Sequence, residues 1–185
     1  MSYKPTKSDI LTIPNLLSLI RLLLVPLILW LYFKQKFYWA LGVIVFSGLT
    51  DVVDGRIARK FNMISDFGKF LDPLADKVTQ AAMIFCVCSR YRLVLLLIVI
   101  FIIKESMMFI FGYVRLKVTD TVTSANWYGK VNTVAMYIIL ALLIIFPNIP
   151  HPIANTLILI CGAFMVFALI MYTRFYVKLL SDSKK

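Results

Sequence analysis

The sequence predicts an all-α integral membrane bundle of six transmembrane helices in a single domain, residues 1–185. Of these residues, 61% are hydrophobic, against roughly 45–50% in an ordinary soluble domain. The mean hydropathy is +0.88. The apolar residues fall into runs of about 20, the length that crosses a bilayer as a helix. Six such runs use nearly the whole chain, so little length remains for a second domain.

Short polar connections separate the six predicted spans. The spans cover approximately residues 13–33, 37–57, 67–88, 93–113, 128–146 and 152–176. Pro14 stands at the start of the first span, where its missing amide proton costs a helix little, so we expect a helix to begin there. Residues 1–12 and 177–185 form polar end segments. No repeat of 20 to 50 residues is visible, unlike the repeated halves of many transporters.

The distribution of basic residues predicts the orientation of the spans. The net charge is +11, and the Lys and Arg residues are spread over span ends rather than gathered on one soluble face. Twelve of them lie at the rim that carries the termini, and four lie at the opposite rim. Since cytoplasmic loops carry the excess of Lys and Arg, we expect both termini in the cytoplasm. The basic rim favours anionic lipid, and not nucleic acid, as a partner.

Five of the nine acidic residues lie within the short segment from Thr50 to Lys77; they are Asp51, Asp54, Asp66, Asp72 and Asp76. An ionised carboxylate at membrane depth costs about 2.5–3.5 kcal/mol, so these residues need a cation among them. Asp51 and Asp54 are three residues apart, and Asp72 and Asp76 are four apart. Each pair therefore lies on one face of its helix. A short turn between the second and third spans would bring the two faces together.

Carboxylates from two helices, with no His or thiolate nearby, predict an all-oxygen site for hard divalent cations such as Mg²⁺ or Mn²⁺. Two ions about 3.5–4 Å apart are a recurrent arrangement for displacement at phosphorus. The alternative is that basic side chains alone neutralise the acids. The basic residues available for this are Arg56, Arg59, Lys60, Lys69 and Lys77. We interpret Asp66 as a turn acid or helix cap rather than a ligand.

Small residues accompany the acids on both spans. They are Gly48, Gly55 and Ala58 on the second span, and Gly68 and Ala75 on the third. Gly inside a helix costs roughly 0.5–1 kcal/mol relative to Ala, so a packing or ligand reason is expected. The small side chains let helix backbones approach each other and leave room for a flat group.

Residues 51–76 read D-x2-D-G-x2-A-R-x8-G-x3-D-x3-D, with all eight fixed positions filled. This resembles the full signature of the CDP-alcohol phosphotransferase family. The resemblance implies a six-span, homodimeric enzyme of the bacterial plasma membrane, with its active site facing the cytoplasm. Such an enzyme moves the phosphatidyl group of CDP-diacylglycerol to an alcohol and releases CMP.

The resemblance also implies roles for the signature residues. The metal ligands, for two Mg²⁺ or Mn²⁺ ions, would be Asp51, Asp54, Asp72 and Asp76. Asp76 would in addition be the catalytic base that takes the proton of the attacking hydroxyl. The nucleotide pocket would be formed by Asp54, Gly55, Ala58, Arg59 and Gly68.

The segments IPNLLSLIRLLLVP and DFGKFLDPLADK resemble the phosphatidylglycerophosphate synthases of this family, whose acceptor is glycerol 3-phosphate. Basic residues would bind that anionic acceptor, and the candidates are Arg21, Lys104, Arg115, Lys130 and Arg174. Two departures count against this assignment. Lys104-Glu105 stands where those synthases show Arg-Glu, and Gly-Lys-Val-Asn-Thr at 129–133 stands where they show G-K-x-K-T. The second string is more similar to the cardiolipin synthases of the family, whose acceptor is phosphatidylglycerol.

A different class of function, divalent cation transport, would place acids through the depth of several helices. Glu105 is the one acid on any other predicted span, and we expect it to pair with a neighbouring Lys or Arg. The clustering of the other acids on two spans therefore favours an enzyme.

Overall fold

The structure, a computed structural model, describes residues 12–60, 66–119 and 127–182. Within these ranges the chain forms six α-helices and no β-strand, which confirms the all-α prediction. The helices are α1 (Ile13–Phe33), α2 (Phe37–Lys60), α3 (Asp66–Cys88), α4 (Val94–Thr119), α5 (Trp127–Ile145) and α6 (His151–Asp182).

The start of α1 follows from its sequence. The hydroxyl oxygen of Thr12 caps the helix by accepting a hydrogen bond from the amide of Asn15 at 3.4 Å. Pro14 lies in the first turn, as expected, where no amide proton is required. At the other end, Gln35 has a φ of 59°, a left-handed conformation that reverses the chain into α2.

Two helices continue past the predicted spans. α4 ends at Thr119 and α6 at Asp182, whereas the apolar runs predicted ends near 113 and 176. The difference arises because the length of an apolar run predicts how far the chain lies in the membrane, and not where the helix ends. A helix that already has its hydrogen-bond ladder continues into polar sequence until a breaker or cap ends it.

Within the described residues, four helices are long and apolar enough to cross a membrane by length and composition. Their apolar segments are Asn15–Phe33, Val94–Gly112, Trp127–Ile145 and His151–Val177. The two remaining helices, α2 and α3, carry the acidic cluster, which lowers their hydropathy. They have 24 and 23 residues, or about 36 and 34 Å at 1.5 Å per residue, enough for a hydrocarbon core of ~30 Å. Large apolar side chains such as Trp39 and Phe109 point outward, 72% and 73% exposed, as expected of a surface that faces lipid.

The described helices divide into two compact units. The first comprises α1, α2 and α3 as far as Cys86, with Ile144–Phe146. Its core contains Ile28, Ala40 and Met83, all fully buried.

The second unit comprises the rest of the described chain. In it, α4 packs against α6 at Gly162, where an added Cβ would lie 3.3 Å from the Leu97 side chain. Phe111 and Tyr176 stack with ring centroids 4.9 Å apart. The expectation of a single domain stays a prediction.

Candidate active site

One face of α1 carries three buried polar residues, Asn15, Ser18 and Arg21, and the last two belong to the candidate site. Ser18 and Arg21 are three residues apart, so they lie on the same side of the helix. Ser18 is 0% exposed and Arg21 is 1% exposed. A guanidinium that is buried among apolar helices is stable only when negative charge lies beside it. The contacts of Arg21 therefore show where the carboxylates lie.

The Arg21 guanidinium contacts three carboxylates from two other helices. Its Nη1 donates to Asp51 Oδ1 of α2, and to Asp76 Oδ1 of α3 at 2.9 Å. Its Nη2 lies 3.5 Å from Asp72 Oδ1. The three aspartate side chains remain 41%, 39% and 37% exposed for Asp51, Asp72 and Asp76. Each carboxylate therefore faces the buried cation on one side and stays accessible on another.

Ser18 connects the guanidinium to Asp72. Its hydroxyl donates to Asp72 Oδ1 and accepts from Arg21 Nη2 at 3.3 Å. The serine thus holds one carboxylate and the cation in a single network with Asp51 and Asp76. The sequence prediction missed this role of Ser18. The signal was the spacing of three residues between Asn15, Ser18 and Arg21, which places these polar side chains on one face of a mostly apolar span.

The local structure of α3 explains how it presents two carboxylates. Asp72 and Asp76 are one turn apart on a continuous helix, with Pro73 between them. The proline has no amide proton, so one bond of the helical ladder is missing beside the carboxylates. Ala75 is fully buried, so the helix packs closely on that side. The hydroxyl of Thr79 donates to the Ala75 carbonyl at 2.9 Å and satisfies its own hydrogen bond inside the helix.

Several predicted site residues lie outside the described side chains. Asp54, Gly55, Ala58 and Arg59 belong to helix α2, but the structure does not extend to their side chains. Gly68 lies in α3 and is buried. The predicted nucleotide pocket and the fourth metal ligand therefore stay predictions. At Gly48 an added Cβ would meet nothing within 4 Å, so this residue leaves open space rather than marking a helix contact.

The donor set at Arg21 fits a hard divalent cation. Three carboxylates surround the Arg21 guanidinium. Carboxylate oxygens are also the ligands that Mg²⁺ and Mn²⁺ prefer. The guanidinium stands where positive charge is required. Among the described residues, no group of three or more His, Cys, Asp or Glu side chains is arranged so that it could hold a metal ion. The carboxylates thus fit a divalent cation in their chemistry and charge, while in this structure their Oδ1 atoms contact Arg21.

Of the five predicted acceptor-binding residues, Arg21 lies in the first unit and the other four lie in the second. Lys104 is 2% exposed and its ammonium lies 2.5 Å from Glu105 Oε1, which confirms the expected pairing of that acid. Lys130 and Arg174 are exposed, and the side chain of Arg115 is outside the described part.

The beginning of α5 contains a close contact that the sequence prediction did not include. A Cβ added at Gly129 would collide with the Tyr172 hydroxyl and lie 3.0 Å from Tyr172 Cζ. Tyr172 is 6% exposed and meets the Tyr128 ring edge to face at 4.6 Å. A side chain larger than glycine at 129 would therefore force Tyr172 to shift where α6 contacts α5, next to Lys130.

Comparison with known proteins agrees with the signature. A family model described as CDP-alcohol phosphatidyltransferase matches residues 11–177. A "Cardiolipin synthase (CMP-forming)" of Streptomyces coelicolor is 35% identical over 67% of this chain and 60% of its own length. The chain thus spans less than two thirds of that relative. Two proteins named "CDP-diacylglycerol--glycerol-3-phosphate 3-phosphatidyltransferase" also match. The one from Aquifex aeolicus is 36% identical over 72% of this chain and 74% of its own length, and the one from Salmonella choleraesuis is 34% identical over 74% and 79%.

Proposed function

The chain belongs to the CDP-alcohol phosphatidyltransferase family, and on that premise we propose that it transfers the phosphatidyl group of CDP-diacylglycerol to glycerol 3-phosphate. The products are phosphatidylglycerophosphate and CMP. The observation that carries the proposal is the convergence of Asp51, Asp72 and Asp76 on one buried cation. These are three of the four aspartates in the signature, and they meet from two helices as the chemistry requires.

The four signature aspartates would hold two divalent cations, Mg²⁺ or Mn²⁺; they are Asp51, Asp54, Asp72 and Asp76. When bound, the cations screen the diphosphate and stabilise the negative charge that develops on the departing CMP. The accessible sides of the described carboxylates leave room for this.

Asp76 is the proposed general base. It would take the proton from the acceptor hydroxyl as that oxygen attacks phosphorus. Its side chain is 37% exposed, so the carboxylate is accessible to a bound alcohol and is suited to receive a proton from it.

The nucleotide pocket is proposed from the signature positions Asp54, Gly55, Ala58, Arg59 and Gly68. Small side chains would admit the cytidine between the helices, and the arginine would offer positive charge to the phosphates.

The acceptor alcohol follows from the basic residues and from the relatives. Glycerol 3-phosphate is favoured by the two relatives whose names include it. Phosphatidylglycerol, the acceptor of a cardiolipin synthase, is the second candidate. The Streptomyces relative and the Lys-Val-Asn-Thr string at 130–133 favour it. Both acceptors carry a phosphate group, and the exposed Lys130 and Arg174 are suited to bind it.

We place the protein as a multi-pass homodimer in a bacterial plasma membrane, with the site and both termini facing the cytoplasm. The excess of Lys and Arg at one rim supports this orientation. A cation transporter remains a remote alternative. It is disfavoured because Glu105, the one acid predicted on another span, pairs with Lys104 instead of extending a pathway.

The test is a parallel acceptor assay. Purified protein in detergent receives CDP-diacylglycerol and Mn²⁺ together with glycerol 3-phosphate, phosphatidylglycerol, serine or inositol phosphate. CMP and lipid products are read by mass spectrometry. We expect phosphatidylglycerophosphate and CMP, and no product after EDTA treatment. Cardiolipin as the only lipid product would favour the second candidate, and no CMP from any acceptor would refute the transferase.

A further inference from the structure

We propose that Arg21 is a built-in counter-ion that holds the aspartates of the metal site together before metal binds, and that it competes with the divalent cations for the same oxygens. Arg21 would then be a positioning residue rather than an acceptor-binding one. This inference rests on the metal site of the proposed function.

Charge balance is the first step of the argument. Asp51, Asp72 and Asp76 all contact the same guanidinium, and the repulsion between three negative charges gathered in this way raises the free energy of the folded protein. The guanidinium is 1% exposed and lies among all three. Its planar fork of five N–H donors can serve several carboxylates at once, which a single ammonium cannot do as well. Arg21 therefore keeps the three side chains in place without metal.

The atoms involved make guanidinium and metal mutually exclusive partners. Arg21 Nη1 bonds to Oδ1 of Asp51 and to Oδ1 of Asp76, 2.9 Å away, so one nitrogen already bridges the two helices. A divalent cation held by these carboxylates would place a second positive charge beside the buried guanidinium, and the two charges would repel each other. Metal binding must therefore displace the guanidinium from at least part of these contacts.

Ser18 fixes the position from which Arg21 competes. It accepts a hydrogen bond from Nη2 at 3.3 Å and donates to Asp72 Oδ1. The guanidinium is thus held against α1 on its Nη2 side while Nη1 bonds across to Asp51 and Asp76. The Nη1 contacts to Asp51 and Asp76 are therefore those for which a divalent cation would compete.

Metal affinity of the EDTA-treated full-length protein in detergent tests the proposal. Mn²⁺ is titrated, and the free aqueous ion is followed by electron paramagnetic resonance. Arg21→Gln removes the competing charge, so we expect Mn²⁺ to bind at least ten-fold more tightly, which equals about 1.4 kcal/mol. The variant should also melt at a lower temperature in EDTA and gain more from Mn²⁺ than the wild type does. Arg92→Gln, at an exposed arginine, is the matched control and should change neither quantity.

Arg21→Lys is the second variant, and it is used if Arg21→Gln does not fold. It keeps the charge but loses the fork, so we expect Mn²⁺ to bind about three-fold more tightly than to the wild type. If both variants bind Mn²⁺ with wild-type or weaker affinity, the inference is wrong while the metal site stands. A residue that only binds the acceptor would give this result, with a raised KM for the acceptor. A wild-type protein that binds no Mn²⁺ would refute the metal site itself.

Discussion

Glu105→Gln tests whether the second unit depends on a buried ion pair. The Lys104 ammonium lies 2.5 Å from Glu105 Oε1, and the two side chains are 3% and 21% exposed. The variant keeps the size of the side chain and an acceptor oxygen, but it removes the negative charge. Lys104 then keeps its positive charge with little access to water. We expect a measurable loss of stability with no change in the fold.

The magnitude follows from burial. Removing one partner of a fully buried ion pair costs about 3–5 kcal/mol. Because Glu105 is 21% exposed and glutamine can still accept a hydrogen bond, we expect about 2 kcal/mol here. For a chain of this size 1 kcal/mol shifts Tm by roughly 2–4 °C, so the shift should be about 4–8 °C.

Thermal unfolding in detergent, followed by circular dichroism, measures this shift. The double variant Lys104→Met with Glu105→Gln is the matched control, because it removes both charges and fills the same volume with an apolar side chain. It should return to within about 1 kcal/mol of the wild type. A single variant that melts with the wild type, or a double variant no more stable than Glu105→Gln alone, would show that the pair does not stabilise the unit.

Two further substitutions test the base and the packing beside Lys130. Asp76→Asn should lower CMP release at least about 100-fold, because an amide cannot take a proton, while CDP-diacylglycerol binding stays measurable; a variant that keeps most of its rate would exclude Asp76 as the base. Gly129→Ala forces the Tyr172 side chain to move and should cost about 1–3 kcal/mol in thermal unfolding. Gly42→Ala, where an added Cβ meets nothing within 4 Å, should be neutral or slightly stabilising, and equal effects of the two would contradict this account.

Much of the fold could be predicted from the sequence because the apolar runs of this chain are long. A run near 20 residues has one solution in a bilayer, a helix that satisfies its own backbone. The start of α1 could be predicted from Pro14, because a proline in the first turn of a helix needs no amide proton. The ends of α4 and α6 were not, because apolarity marks the membrane boundary rather than the end of a hydrogen-bond ladder.

The candidate site was predictable in part. Helical spacing placed Asp72 and Asp76 on one face, and the structure shows both beside a single cation. The identity of that cation was not predictable. Arg21 lies 30 residues before Asp51 in the chain, and only tertiary packing decides whether it or a nearer base such as Lys77 reaches the carboxylates. Sequence spacing fixes a helix face, but it does not fix which helix packs against that face.

The pairing of basic residues inside the spans limits where an acceptor phosphate can bind. A buried cation that already neutralises a carboxylate offers little further charge to a ligand, and moving it would leave that carboxylate without its counter-charge. Arg21 and Lys104 are both in this position. Lys130 and Arg174 are exposed instead, and the sequence places them at the ends of their predicted spans, where long basic side chains reach water. We therefore expect the choice between glycerol 3-phosphate and phosphatidylglycerol to depend on the exposed basic residues of α5 and α6 rather than on the two buried ones.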